Sequence, residues 1–300
     1  MRFARTASAW RVSEMAVPAY ADIVVRDVGG VRYLTLNRPE ARNAMRAETL
    51  EELAAVFEEC RSRADLRVVV MRGAEGHFCA GADLKGLMTG GRPAASADET
   101  DPVVTINRAF GRLLRQAEAL PQVLITICEG AVLGGGFGLA CVSDIALSHR
   151  EARFGMPETT RGLPPAQIAP FVVTRIGLTQ ARRLALTGMQ FDGREALRLG
   201  VVHECFEDEA DLRTRLSAVL AAVGRCAPGA NAMTKAIVLS VGQQSMDAVL
   251  DDAAARFARC VRGQEAPEGI AAFMQKRAPA WATSFDEGHD VPSVASKKTQ

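Results

Sequence analysis

The sequence has almost no excess of either charge: Lys and Arg number 36, Asp and Glu 35, for a formal net charge of +1. That balance leaves no overall electrostatic footprint for nucleic acid or an anionic membrane, so neither partner is expected. Paired cysteines are also missing. Cys60, Cys79, Cys128, Cys141, Cys205, Cys226 and Cys260 stand singly, with no C-x-x-C and an odd total of 7. This excludes a disulfide framework and a zinc-finger spacing, and it suits a reducing, cytoplasmic compartment. The most apolar long stretch, Val123 to Val142, is interrupted by Glu129 and five glycines, which makes a poor membrane span. Residues 1–14 carry Arg2, Arg5 and Arg11 and lack the apolar h-region of a secretory signal, so none is expected. A transit peptide stays open there, beside a disordered extension over 1–18 with Met15 as the natural start. His77, His149, His203 and His289 form no metal-ligand spacing, and no G-x-S-x-G elbow occurs. No metal or redox cofactor is therefore expected. No repeat of long fixed period is found.

What is present is a chain of 300 residues with 48% hydrophobic and 24% charged side chains. That is enough for one large or two modest domains around a sizeable core. Up to about Cys205, short apolar runs alternate with Gly-rich turns and helical patterns; beyond Glu207 the pattern is helical. Ile23 to Arg26 and Val31 to Leu36 read as strands around Gly29-Gly30. Leu50, Leu53, Ala54, Phe57 and Cys60 give a helix over 46–61. Val68 to Met71, Val123 to Cys128 and Ile145 to Leu147 are continuous apolar runs of strand length, as expected for strands covered on both faces. Strands separated by helices imply an α/β fold with crossover units. Thr89 to Pro102 reads as a mobile loop or lid. Met246, Val249, Leu250, Ala253, Phe257 and Cys260 make one apolar helical stripe, Ile270 and Phe273 to Met274 suggest a further short helix, and Asp286 to Gln300 reads as a frayed tail.

Three segments could carry chemistry. Gly76-His77-Phe78-Cys79-Ala80-Gly81-Ala82-Asp83-Leu84 crowds small residues after a strand, where a ligand could approach the backbone. Gly134-Gly135-Gly136 follows a buried strand and precedes a helical pattern, so its N–H groups could hold developing negative charge. It fits neither a P-loop nor the dinucleotide G-x-G-x-x-G, because position 139 is Leu. In Phe154-Gly155-Met156-Pro157-Glu158 a carboxyl stands among apolar residues, where burial would tune it as a general base. Each segment alone reads equally well as a tight turn, a close strand–helix contact or a surface acid.

Together they resemble the crotonase superfamily, the enoyl-CoA hydratase/isomerase family, over about Asp22 to Trp281. Further motifs carry the resemblance: Leu36 to Met45 (Leu-Asn-Arg-Pro-Glu-Ala-Arg-Asn-Ala-Met), Leu186-Thr187-Gly188, Ala196 to Val202, and Phe273 to Arg277. The resemblance implies a spiral of ββα units over 19–206 that holds coenzyme A and the active site. It also implies a helical trimerisation region over 207–300, and a homotrimer or dimer of trimers. It implies an acyl-CoA substrate, with coenzyme A part of that substrate rather than a cofactor. By motif match, the backbone N–H groups of Ala82 and Gly135 form an oxyanion hole for the thioester enolate. Arg42, Ala44, Ala80, Asp83, Leu84 and Gly134 match the coenzyme A edge. Lys276 matches a basic position reaching the nucleotide phosphate, often of a neighbouring subunit. Leu84, Leu87, Met88, Leu133 and Phe137 are candidates for the acyl pocket.

Typical hydratases of the family use two glutamates twenty residues apart. Glu158 matches the second; the first falls on Gly138. One acid points toward a Δ3,Δ2-enoyl-CoA isomerase. The stretches Gly134 to Asp144 and Pro165 to Val173 are instead similar to hydratases of branched glutaconyl-CoA esters, such as isohexenylglutaconyl-CoA. Hydration of a 2-enoyl-CoA is the leading expectation, with Gln167 or a water in the space left by Gly138 completing the site, and Phe137 with Gly138 widening the pocket. Isomerisation and a non-catalytic acyl-CoA-binding role are the alternatives.

Overall fold

The structure, a computed structural model, describes residues 20–83 and 101–285. β1 (Ile23–Val28) and β2 (Val31–Leu36) form an antiparallel hairpin. Its turn residues Gly29 and Gly30 have φ of 55° and 85°, a backbone open mainly to glycine. From β2 onward the ladder is parallel: β3 (Val68–Gly73), β4 (Val123–Cys128), β6 (Ile145–His149) and β9 (Glu204–Phe206) complete a six-stranded sheet of order β1-β2-β3-β4-β6-β9. A smaller sheet joins β5 (Ala131–Leu133), β7 (Arg153–Gly155) and β8 (Gln190–Phe191). The path from β4 to β5 and from β6 to β7 thus steps from the large sheet to the small one, and a helix returns it. This is the expected α/β architecture.

Helices pack on both faces. One core unites Val69 and Met71 with α1 (Ala47–Ser62), α2 (Pro102–Glu118), α3 (Gly135–Val142), α4 (Ala169–Thr187) and α5 (Gly193–Leu199). The other unites Val68 and Val70 with α6 (Glu209–Arg225) through Leu212, Leu216 and Leu220. Side chains alternate across a strand, so covering both faces requires the unbroken apolar run at 68–71. β3 and β6 outrun their apolar stretches. Arg72 stays in the ladder by pairing with Glu129 at 2.6 Å and Glu209 at 2.7 Å. α1 begins one residue later than its pattern, because Arg46 has extended backbone and stands as its N-cap.

The remaining helices are α7 (Pro228–Ser240), α8 (Met246–Arg262) and α9 (Glu265–Met274). The α8 stripe forms, but only its Val249 is buried; Met246, Leu250 and Phe257 face outward, as does Phe273 on α9, 85% exposed. The extension over 1–18, most of the loop from Thr89, and the tail from Asp286 lie outside the described residues.

Candidate active site

The site grows from the C-terminal ends of β3 and β4. After β3 the chain makes a short turn, and residues 78–79 then pair with the β5 segment: Phe78 N donates to the Glu129 carbonyl and Cys79 N to that of Ala131, both at 2.8 Å. The His77 ring accepts from Ala131 N through Nδ1 at 3.0 Å, so this imidazole pins the turn. The chain then bends at Gly81, φ 100°. The Gly81 N–H meets the Cys79 sulfur at 3.4 Å, and burial pushes that thiol up to about 12, keeping it protonated.

The second bend is Gly134, with φ 50° and ψ −117°, outside the left-handed helical region that other residues can enter. The two bends touch: a Cβ on Gly134 would lie 3.6 Å from the Gly81 α-carbon and one on Gly81 3.2 Å from the Leu133 carbonyl oxygen. Ala82 follows the first bend and Gly135 the second. Met45 N donates to the Gly81 carbonyl and Asp83 N to the Met45 carbonyl, each at 2.8 Å. Amides alternate in direction along an extended strand, so the Ala82 N–H points away from Met45. Gly135 is the first residue of α3, where an N–H has no partner within the helix. Among the described residues neither N–H is bonded to an acceptor.

Glu158 reaches the same point from a short turn, Pro157–Arg161, after β7. Gly134 N donates to the Gly155 carbonyl at 3.0 Å and ties the two segments. The Glu158 Oε1 lies 2.7 Å from where a Gly134 Cβ would stand, while Oε2 is buried with no hydrogen-bond partner among the described residues. Burial raises this carboxyl above its ordinary 4.5, and Arg161 opposes that only in part. A buried carboxylate oxygen without a donor is expensive to retain, and a perturbed acid in such a position marks a functional site.

Around this centre the Arg42 carbonyl accepts from Ala80 N at 3.0 Å, and the Arg42 side chain is exposed. Ala44 is buried and its carbonyl accepts from Arg38, whose guanidinium also pairs with Asp83 at 3.0 Å. Asn43, not singled out from the sequence, holds the two loops together. Its Oδ1 accepts from Arg38 N, and its Nδ2 donates to the carbonyls of Ala74 at 3.0 Å and His77 at 2.6 Å. The fold thus gathers Arg42, Ala44, Ala80, Ala82, Asp83, Leu133, Gly134, Gly135 and Glu158. Lys276 is not among them. Its chain leads to Trp281, whose carbonyl accepts from Arg67 just ahead of β3, the opposite end of that strand. Leu84, Leu87 and Met88 lie outside the described residues.

Three expected pocket residues stand elsewhere. Phe137 is fully buried in an aromatic cluster, with ring centroids 6.1 Å from Phe154 and 5.9 Å from Phe191. Gly138 leaves no open space: Ile168 Cγ2 stands 2.6 Å from where its Cβ would be, and Leu114 Cδ1 3.4 Å. Gln167 donates to Asn107 Oδ1 at 2.8 Å, against Gly111 of α2. Ile168, a neighbour no spacing rule would single out, occupies the room that a Gly in place of Glu was expected to free. Among the described residues, no group of three or more His, Cys, Asp or Glu side chains could hold a metal ion, and no helix is long and apolar enough to cross a membrane.

Comparison with known proteins identifies the family. The sequence profile described as enoyl-CoA hydratase/isomerase matches residues 26–284. A probable enoyl-CoA hydratase of Bacillus subtilis is 30% identical over 250 residues, covering 83% of this chain and 94% of that protein. The 2,3-dehydroadipyl-CoA hydratase of Escherichia coli is 29% identical, covering 86% and 98%. Among solved structures, Pseudomonas aeruginosa AtuE shares 53% identity at a TM-score of 0.83, covering 88% of this chain and 100% of its own. An enoyl-CoA hydratase/isomerase from Marinobacter aquaeolei shares 50% at 0.84, covering 87% and 99%. With the profile spanning most of its length and near-complete relatives at this identity, the chain belongs to the enoyl-CoA hydratase/isomerase family of the crotonase superfamily and is an enzyme.

Proposed function

We propose that the enzyme hydrates a 2-enoyl-CoA thioester, with Ala82 and Gly135 as oxyanion donors and Glu158 as the acid–base. One coincidence carries this reading. Two N–H groups and one buried carboxylate oxygen, all without partners among the described residues, sit on three segments in contact. Conjugate addition places negative charge on the thioester oxygen. Two preorganised amides stabilise that charge, and losing one such donor typically costs about 3 kcal/mol. Glu158 takes a proton from water as the oxygen bonds to C3, and returns it to C2 as the enolate collapses. A carboxyl raised above its usual range suits both halves of that cycle.

Isomerisation is the second reading, and Ile168 favours it. Moving a proton between C4 and C2 needs one base and no bound water. An apolar wall beside Gly138 supplies no polar group to orient a water. The two reactions move absorbance in opposite directions: hydration removes the conjugated 2-enoyl chromophore, and isomerisation of a 3-enoyl ester creates it. A panel of straight, branched and glutaconyl-type esters is expected to show the hydration signal, falling about 100-fold or more in Glu158→Gln. Full turnover by Glu158→Gln would exclude this role. A branched glutaconyl ester is our proposed substrate, on the likeness of 134–144 and 165–173.

We further propose a trimeric assembly through 207–300. The outward apolar face of α8 and α9 supports it, since solvent exposure of Phe257 and Phe273 forfeits burial energy that a partner copy would recover. Lys276 would then serve a neighbouring site. A monomer by light scattering would count against this.

A further inference from the structure

We infer that Phe110 sets which acyl groups the site accepts, an inference that rests on the thioester reading above. If the thioester oxygen sits at the Gly135 N–H, the acyl carbons lie in the space next to the Gly135 α-carbon. That space has two walls. A Cβ built on Gly135 would stand 2.6 Å from Met45 Cε, 3.0 Å from Phe110 Cζ and 3.5 Å from Phe110 Cε1. Glu158 closes the neighbouring side at Gly134. An acyl chain leaving the carbonyl therefore passes between the acid and the ring.

The two walls differ in compliance. Met45 presents an unbranched thioether that can swing among rotamers. The Phe110 ring is planar and sits on a helix held in place on either side of it. Along α2, Asn107 lies about one turn before Phe110 and Gly111 directly follows it. Gln167 donates to Asn107 at 2.8 Å and its carbonyl oxygen lies against Gly111, in room that any side chain there would fill. Leu114, one turn further, packs against Gly138 beside Ile168. The buried stripe of Leu113, Leu114 and Ala117 continues into Phe110, which is only half-buried where it overhangs the bend. Withdrawing the helix that carries the ring would break the Gln167 bond and open the Leu114 contact. Phe110 is thus the rigid wall, and it limits substituents on the acyl carbons closest to the carbonyl.

The test is calorimetric binding of two saturated esters, butanoyl-CoA and 3-methylbutanoyl-CoA, with free coenzyme A as reference, to wild type and to Phe110→Ala, Phe110→Leu and Phe110→Trp. Saturated esters bind without reacting. Phe110→Ala is expected to raise affinity for the branched ester relative to the straight one about tenfold, the scale of one methyl group in an apolar pocket. Phe110→Leu shifts the ratio the same way by less, and keeps the test alive if the Ala variant fails to fold. Phe110→Trp shifts it oppositely. A purely structural role would change both esters equally, and a ratio within twofold of wild type in the folded variants overturns the proposal. Wild type that binds neither ester more tightly than free coenzyme A would be a separate result, one that overturns the thioester reading and this proposal with it.

Discussion

Gly134→Ala perturbs a residue that meets both the first bend and Glu158, the proposed acid–base. Two effects follow from the geometry. At φ 50° and ψ −117° an alanine is strained, and residues held in such sparsely populated regions lose about 1–3 kcal/mol each. Its Cβ would also stand 2.7 Å from Glu158 Oε1, closer than real Cβ contacts come. The carboxylate is the movable partner, so it yields, and a shift approaching 1 Å at a reacting group can lower the rate about 100-fold. Melting followed by circular dichroism should show a fall of several degrees, since about 1 kcal/mol shifts Tm by roughly 2–4 °C in a domain of this size. Turnover of enoyl-CoA esters should fall about 100-fold in kcat, with KM less affected. Gly200→Ala is the matched control. Gly200 has φ 78° and nothing within 4 Å of its would-be Cβ, so that variant should lose stability alone. A folded Gly134→Ala protein with kcat within threefold of wild type would refute the contact between this bend and the acid.

Three further outcomes follow. Burial favours the protonated Glu158 in the folded state, so between 4.5 and its raised folded value the native protein holds more protons than the unfolded chain. Stability therefore declines as pH rises through that window, and Glu158→Gln should melt higher than wild type at neutral pH, the gap narrowing in acid; a gap that widens in acid would contradict the burial argument. Gly138→Glu, which inserts the second acid of the two-glutamate pattern, should lower stability by about 1–3 kcal/mol because Ile168 fills the site. Gly138→Glu with Ile168→Ala should recover part of that, read as paired melting curves. Asn43→Ala removes the amide donor from the Ala74 and His77 carbonyls, leaving Ala74 the His77 N–H at 3.4 Å; denaturant unfolding should show a loss of about 1–3 kcal/mol, and turnover should fall as the Gly81 bend loosens.

The glycine bends of the proposed site were visible as small-residue runs because backbone chemistry constrains residue type there, and the resemblance carried by their order singled them out. Gly81 and Gly134 stand where positive φ and close approach exclude a side chain, and such positions leave small-residue runs visible in one dimension. The strands at 68 and 123 were legible for a related reason, as burial on both faces demands unbroken apolar runs. Their ends were not, because Arg72 continues β3 through ion pairs with Glu129 and Glu209, residues far along the chain.

Residue order alone therefore determined the α/β class and the helical character beyond 207, as local preferences and periodicities, while the two glycine bends and the acid at 158 were picked out by the resemblance that their ordered motifs carry. Tertiary structure decided what stands beside each of them. Ile168 fills the place next to Gly138, Gln167 ties to Asn107 rather than to the acid, Phe137 joins an aromatic core, and Phe110 stands over Gly135. These contacts join segments separated by roughly 17 to 60 residues, and no local pattern encodes which side chain the packing of one element on another brings to a given point.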